Sequence, residues 1–216
     1  MAFDQSSFDR DYYRRYYGDP RTRVTSGPEM KRRAALIGAV LKHFELPIRS
    51  VLDVGCGKGL LRRPLRAEFP RARYTGLEVS RYLCRLHGWT RASIAEFETD
   101  EPFDLTICYD VLQYLKARAA TRALDRLAAV TRMVLYFSAL TSEDWRDNCD
   151  RTRTDRDVCM RSGDWYRSRL QEHFTPIGLG LWLKHGYDLV RWELEKPFAP
   201  ASPISDDRRS RRARIQ

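Results

Sequence analysis

One stretch constrains this chain more than any other. Val51-Leu52-Asp53-Val54 is followed directly by Gly55-Cys56-Gly57-Lys58-Gly59. The short apolar run suits a buried strand. Three alternate glycines then let the backbone turn sharply and approach a ligand closely. Leu60 to Phe69 can continue as a helix, with Pro64 tolerated in its first turn, where amides lack partners anyway. A strand, a tight glycine turn and a helix start make the edge of a parallel α/β sheet, where nucleotide-like ligands are held.

The following residues extend that unit. Arg73 to Val79 reads as a second strand with Glu78 at its carboxyl end, about twenty residues beyond the glycines, where a carboxylate can accept from ribose hydroxyls. Two ligands fit such an acid, a dinucleotide and S-adenosylmethionine. Asp53 stands directly before the turn, where its charge opposes a pyrophosphate but suits an ammonium and a sulfonium. The glycine spacing is also G-x-G-x-G, not G-x-G-x-x-G. Ser80 to Gly88 can form a short helix, and Arg91 to Phe97 a short third strand. Leu105, Ile107 and Cys108 read as a buried fourth strand with its exit at Tyr109 and Asp110. A helix is expected near Lys116 to Val130 and a fifth strand at Met133 to Phe137. Gly163 to Phe174 reads as a further helix. Ile177 to Leu183 and Tyr187 to Leu194 read as a closing hairpin around Lys184-His185-Gly186.

Two helices precede the core. In the first, Phe8, Tyr12 and Tyr16 recur at helical spacing beside Tyr13 and Tyr17, ending at Gly18-Asp19-Pro20. The second runs from Pro28 to Phe44 with Glu29 at its positive end and Lys42 and His43 at its negative end. After the fifth strand, Thr141 to Asp164 is polar and aperiodic, a length that usually has a function or lacks order; Trp145 argues for order.

The Asp53–Gly59 motif, Glu78 in place, and the pattern Phe103-Asp104-Leu105 … Val111-Leu112 … Leu115 together resemble class I S-adenosylmethionine-dependent methyltransferases, over roughly residues 48 to 140. The resemblance implies an α/β, Rossmann-like, doubly wound and mostly parallel seven-stranded sheet with an antiparallel last strand, preceded by N-terminal helices. It implies a helical lid at residues 1–47, a methyltransferase core at 48–196 and a basic, disordered tail at 197–216. The implied donor is S-adenosyl-L-methionine, held by Asp53, Gly55, Cys56, Gly57, Gly59, Glu78 and Val79. Glu96 is expected to meet the adenine amino group, Phe97 its ring, and Tyr109 the methionine portion. Tyr12 and Tyr16 are expected to cover the cofactor, since a sulfonium is drawn to aromatic faces. Acceptor contacts are expected from Tyr17, Tyr114, Trp145, the stretch Asn148 to Asp155, and Trp165. Many such families carry His where this chain has Tyr114, so no histidine role transfers. By location alone, Asp110, Asp144 and Asp150 are candidate bases.

Composition bounds the remainder. The chain has 216 residues, is 43% hydrophobic and contains no apolar run long enough for a membrane helix. Its start has no basic cap followed by an apolar block, so no secretory signal is expected. Five cysteines without a C-x-x-C pair fit a reducing, cytoplasmic setting and no metal site. The net charge of +10 has two readings, a nucleic-acid partner or an arginine-biased composition. Five arginines fall within residues 208–214, where RNA contact is the sharper reading and a solvated tail the plainer one. No Asn-Pro-Pro-Tyr tetrapeptide or Pro-Cys nucleophile follows the fourth strand, so Cys108 reads as strand core. The sequence therefore points to methyl transfer to a small molecule. The alternatives are an RNA or protein methyltransferase, or a non-catalytic protein on the same fold.

Overall fold

The computed structural model describes residues 8–19 and 21–196. The expected basic tail at 197–216 lies outside the described residues. Two helices lead the chain, α1 (Arg10–Tyr17) and α2 (Gly27–His43). Asp9 caps α1 by accepting from Tyr12 N at 2.9 Å, and Ser26 caps α2 by accepting from Glu29 N. The alternating core follows as β1 (Ser50–Val54), α3 (Arg62–Glu68), β2 (Arg73–Glu78), α4 (Arg81–His87), β3 (Thr90–Arg91), β4 (Phe103–Tyr109), α5 (Ala117–Val130) and β5 (Thr131–Ser138). The chain closes with α6 (Ser142–Asp147), α7 (Gly163–Leu170), β6 (Phe174–Gly178) and β7 (Leu181–Lys184).

The seven strands form one sheet in the order β3-β2-β1-β4-β5-β7-β6, parallel except for β7, which runs antiparallel to both neighbours. β1 and β4 are buried along nearly their whole length, as sheet centres covered on both faces must be. Side-chain alternation splits them between two cores. Val51, Leu105 and Ile107 pack with Ile37 and Leu41 of α2 and Leu65 of α3. Leu52, Val54 and Cys108 pack with Leu124 and Leu127 of α5 and with Tyr166 and Leu170 of α7. Asp104 works at the sheet's opposite end from the glycine turn. Its carboxylate accepts from the backbone amides of Arg49 and Ser50 at 2.8 and 3.0 Å, and Ser50 Oγ accepts from Asp104 N in return. The acid of the Phe-Asp-Leu pattern thus stitches β4 to the start of β1.

The closing hairpin is displaced from its expected position. Ile177 to Leu183 is not one strand, because Gly178, Leu179 and Gly180 all adopt positive φ (120°, 51° and 82°) and turn the chain there. β6 and β7 are therefore the two arms of this turn, and residues 187–194 form no strand. The third strand shrinks to Thr90–Arg91, since Ser93 onward leaves the sheet. The segment after β5 begins with a short helix, α6, and is irregular from Asn148 to Ser162. No helix among the described residues is long and apolar enough to cross a membrane.

Candidate active site

The site forms at the carboxyl edge of β1, β2 and β4, where the strand order reverses between β1 and β4 and the two following loops part. The loop after β1 is held by Glu78. Its buried carboxylate accepts from Gly57 N at 2.9 Å through Oε2, and from Val79 N and Ser80 N at 2.8 Å each through Oε1. Gly55 takes φ +64°, and a Cβ there would lie 2.5 Å from Val111 Cγ2. The first glycine is thus required both by its backbone angle and by the close approach of the loop after β4.

Two cavities open on this edge. The smaller, about 150 Å³, is an apolar slot between Leu77, Val79, Ile94, Val111 and Leu115, with Glu78 in its wall. The larger, about 470 Å³, runs from Asp53 and the glycine loop past Tyr109 and Asp110 to Gln113, Asp150 and Asp155. Tyr17, Gly55, Gly57, Asp110 and Tyr114 line both. α1 and the preceding Phe8 form one wall through Phe8, Tyr12, Tyr13 and Tyr17, docked by Ser80 Oγ donating to Phe8 O at 2.5 Å and by a 3.1 Å hydrogen bond between the Tyr12 and Tyr114 hydroxyls. Burial raises the pKa of the Tyr12, Tyr13 and Tyr17 phenols, so they stay neutral.

Three groups carry the electrostatics. Asp53 is buried within β1, and Tyr74 donates its hydroxyl to Oδ2 at 2.5 Å. Burial outweighs that bond and pushes the carboxyl up to about 7. Asp110 follows β4 in the left-handed region, at φ 55°. Non-glycine residues seldom hold that conformation, and it clusters at functional sites. Asp110 is exposed where it lines the cavities, and desolvation by the walls around it raises its carboxyl to about 6. Tyr109 is fixed by Arg33 of α2, whose guanidinium lies 3.9 Å from the ring centroid and donates to the phenol oxygen at 3.0 Å. Arg33 also pairs with Glu29 at 3.3 Å.

Asp53 yields a pH prediction. The folded chain keeps a proton on Asp53 up to about pH 7, whereas the unfolded chain loses it near pH 4. The folded state then binds more protons, so this carboxyl lowers stability as pH rises from about 4 to 7 and has no further effect above. Asp53→Asn removes that slope. Relative to wild type it should gain roughly 1–3 kcal/mol between pH 5 and pH 8 by urea unfolding. An equal stability difference at both pH values would show that Asp53 ionises normally.

Several expected residues lie elsewhere. Glu96 is exposed and Phe97 packs on the core; with β3 so short, Ala92, Ser93 and Ile94 reach the apolar slot in their place. Gly59 borders neither cavity and lies under the Trp89 ring. Tyr16 faces away from both, into a separate depression of about 400 Å³ with Arg15, Arg151 and Arg156. Trp145 and Asn148 line neither of these two cavities, because α6 carries them past the site, Asn148 as its C-cap. Trp165 stacks under Arg169 and Arg161 and packs on the core. Asp144 is consumed by a capping box with Thr141 and by Asn148 Nδ2 at 3.0 Å. Asp150 borders the larger cavity, but Thr152 N and Oγ1 donate to it and hold its pKa low, an unsuitable base. Asp53, Gly55, Cys56, Gly57, Glu78, Val79, Tyr12 and Tyr109 do converge, as do Tyr17 and Tyr114. Phe8, Tyr13 and Gln113 join them, as does Asp155 from the polar stretch 148–155 expected to meet the acceptor. The aromatic stripe pointed to the first two; nothing local in sequence marked Gln113.

Residues 52–133 match the methyltransferase domain family. A malonyl-[acyl-carrier protein] O-methyltransferase of Anoxybacillus flavithermus is 30% identical over 109 residues, 46% of this chain and 42% of the relative, so the match spans less than half of the relative's length. Among solved structures, the N-methyltransferase NodS of Bradyrhizobium japonicum with S-adenosyl-L-homocysteine superposes with a TM-score of 0.59 at 18% identity, covering 82% of this chain and 98% of that one. The magnesium protoporphyrin IX methyltransferase of Synechocystis with bound S-adenosylmethionine gives 0.55 at 18% identity, over 84% and 97%. The plantazolicin methyltransferase with S-adenosyl-L-homocysteine gives 0.61 at 14%, over 79% and 73%. At such identities the structural likeness is one of fold. The chain thus has the class I, Rossmann-like methyltransferase fold, and its residues 52–133 match a methyltransferase domain.

Proposed function

We propose that this protein transfers a methyl group from S-adenosyl-L-methionine to a small molecule by direct displacement. The observation that carries the reading is the meeting of the two cavities at Tyr17, Gly55, Gly57, Asp110 and Tyr114. One cavity suits a nucleoside and the other an acceptor, and their junction is where a transferred group must pass.

The residues fit the donor. A carboxylate offers about four acceptor positions, and three backbone amides occupy three on Glu78, which leaves one for a ribose hydroxyl. The slot beside it presents aliphatic side chains on opposing walls, as a flat adenine ring requires. Asp53 and the Gly55–Gly57 backbone face the larger cavity, on the side suited to an amino-acid moiety. When bound, this cofactor supplies a methyl group on a positively charged sulfur, already activated for displacement. The protein's part is to hold the acceptor in line and keep water out. Tyr12, Tyr13 and Tyr17 perform the second task from α1. A cavity of about 470 Å³ is of small-molecule size.

Calorimetric titration tests the donor. S-adenosyl-L-methionine should bind and NAD should not; binding of NAD alone would refute the assignment. RNA contact through the arginine-rich tail belongs to the alternative reading, and deletion of residues 198–216 tests it through RNA binding. We further infer a reducing, cytoplasmic setting, which the five free thiols support.

A further inference from the structure

We propose that the acceptor is an amine, received by hydrogen-bond acceptors on Asp110, Gln113 and Asp155; this rests on the methyltransferase reading above.

These side chains come from three places: the end of β4, the 3-10 turn Leu112–Tyr114 and the irregular segment after α6. All three line the larger cavity. Gln113 is only 4% exposed, and its Oε1 has no hydrogen-bond partner. A buried amide oxygen without a donor is costly, and few native groups are left so. Asp155 is 8% exposed, and among the described residues its carboxylate accepts only from Asp157 N, at 3.0 Å. Neither Asp155 nor Asp110 forms an ion pair among the described residues.

Of the cations nearby, Arg33 and Arg153 are engaged, while Arg23 and Lys58 lie on the cavity's rim, exposed. Facing Asp110 are Tyr109 on its own strand, Arg33 and Glu29 from α2, Asp144 from α6, and Tyr17 and Tyr114 from α1 and the 3-10 turn. Arg33 is held by Glu29, Tyr109 and Tyr136. Arg153 donates to Arg23 O at 2.7 Å. Two carboxylates that form no ion pair among the described residues, and an amide oxygen without a hydrogen-bond partner, therefore share one cavity with the Tyr17 and Tyr114 rings. The complement of that wall is a group with several N–H donors that carries or develops positive charge. A hydroxyl has a single donor, and a carboxylate acceptor would meet two like charges.

The chemistry agrees. A neutral amine that gives N–H bonds to Asp110 and Gln113 has its lone pair left free. The lone pair forms the new nitrogen–carbon bond, and the electron pair of the broken carbon–sulfur bond stays with sulfur. Positive charge passes from sulfur to nitrogen, beside the Asp110 and Asp155 carboxylates, and the methylammonium later releases its surplus proton to solvent. Fixed negative charge where positive charge develops is the electrostatic arrangement that accelerates such a step.

The test uses a small-molecule extract of the source cells in three forms: untreated, N-acetylated at neutral pH, and esterified at its carboxylates. Each is offered to the full-length protein with radiolabelled S-adenosyl-L-methionine. Labelling should fall at least 10-fold after N-acetylation and survive esterification. The same pools added to the S-adenosyl-L-homocysteine complex report binding without turnover, and those with free amines should raise its Tm. Asp110→Asn should lose 10- to 100-fold in kcat/KM and keep wild-type affinity for S-adenosyl-L-homocysteine by calorimetry. Labelling that survives N-acetylation, or that esterification abolishes, overturns the amine assignment. So does labelling of no pool by a protein that binds S-adenosyl-L-homocysteine. Failure to bind S-adenosyl-L-homocysteine at all defeats the methyltransferase reading beneath it.

Discussion

Replacing Glu78 by Ala is expected to destabilise the protein by on the order of 4 kcal/mol and to abolish measurable S-adenosyl-L-methionine binding. Three backbone amides, of Gly57, Val79 and Ser80, end on this one carboxylate. Hydrogen bonds to a charged group are each worth about 1.5–3 kcal/mol, and a buried amide left without a partner costs about 1–3 kcal/mol. The full sum is not reached, because the loop relaxes and water enters. For a chain of this size, about 4 kcal/mol lowers Tm by roughly 10 °C. Glu78→Gln separates the contributions: its oxygen can still serve Val79 and Ser80, while its amino group opposes the Gly57 N–H. It should fall between wild type and Ala in calorimetric Tm. A Glu78→Ala protein melting within about 2 °C of wild type would show that the carboxylate does not hold the loop.

Gly55→Val is the second large effect, at least 100-fold in S-adenosyl-L-methionine affinity with far-UV circular dichroism retained. A β-branched residue at φ +64° is strained by about 1–2 kcal/mol, and its Cβ would fall 2.5 Å from Val111 Cγ2. Either the loop or Val111 must shift, and both line the apolar slot. Gly55→Ala combined with Val111→Ala distinguishes the two causes. It removes the collision and keeps the backbone strain, so it should recover part of the affinity lost by Gly55→Ala alone. No recovery would assign the whole effect to the backbone angle.

What could be read from the sequence was whatever is local in the chain. The glycine turn requires Asp53 to Gly59 in succession, and its distance to Glu78 is set by one helix and one strand, so the donor end of the site was visible. The succession of strands and helices followed from periodicity, and the arrangement of the sheet from the resemblance to class I methyltransferases. The acceptor end was not. Asp110 stands out through a left-handed backbone angle that an Asp does not advertise, and Gln113 through an oxygen without a partner. Asp155 is brought to the cavity by a segment without periodicity. Trp145, Asn148 and Trp165 looked suitable by composition, but α6 and α7 turn them elsewhere. The hairpin was misplaced because Gly178-Leu179-Gly180 reads as strand interior unless Leu179 is allowed a positive φ. Glu96 and Phe97 failed because two residues of β3 replaced the expected seven.

α1 has a kinetic consequence. It is eight residues long, well short of the ~12–15 that a helix needs to persist alone in water. Its order therefore derives from what it touches: the Ser80 hydroxyl, the Tyr114 hydroxyl and the aromatic rings it lays over the cavities. Detaching it exposes both cavities at once while the sheet and its two cores stay intact, so the opening free energy is local and smaller than that of unfolding. As the lid we propose, α1 would give donor, acceptor and spent cofactor one shared door, and the tyrosines that wall the cavities off from water would also set how often the enzyme can reload.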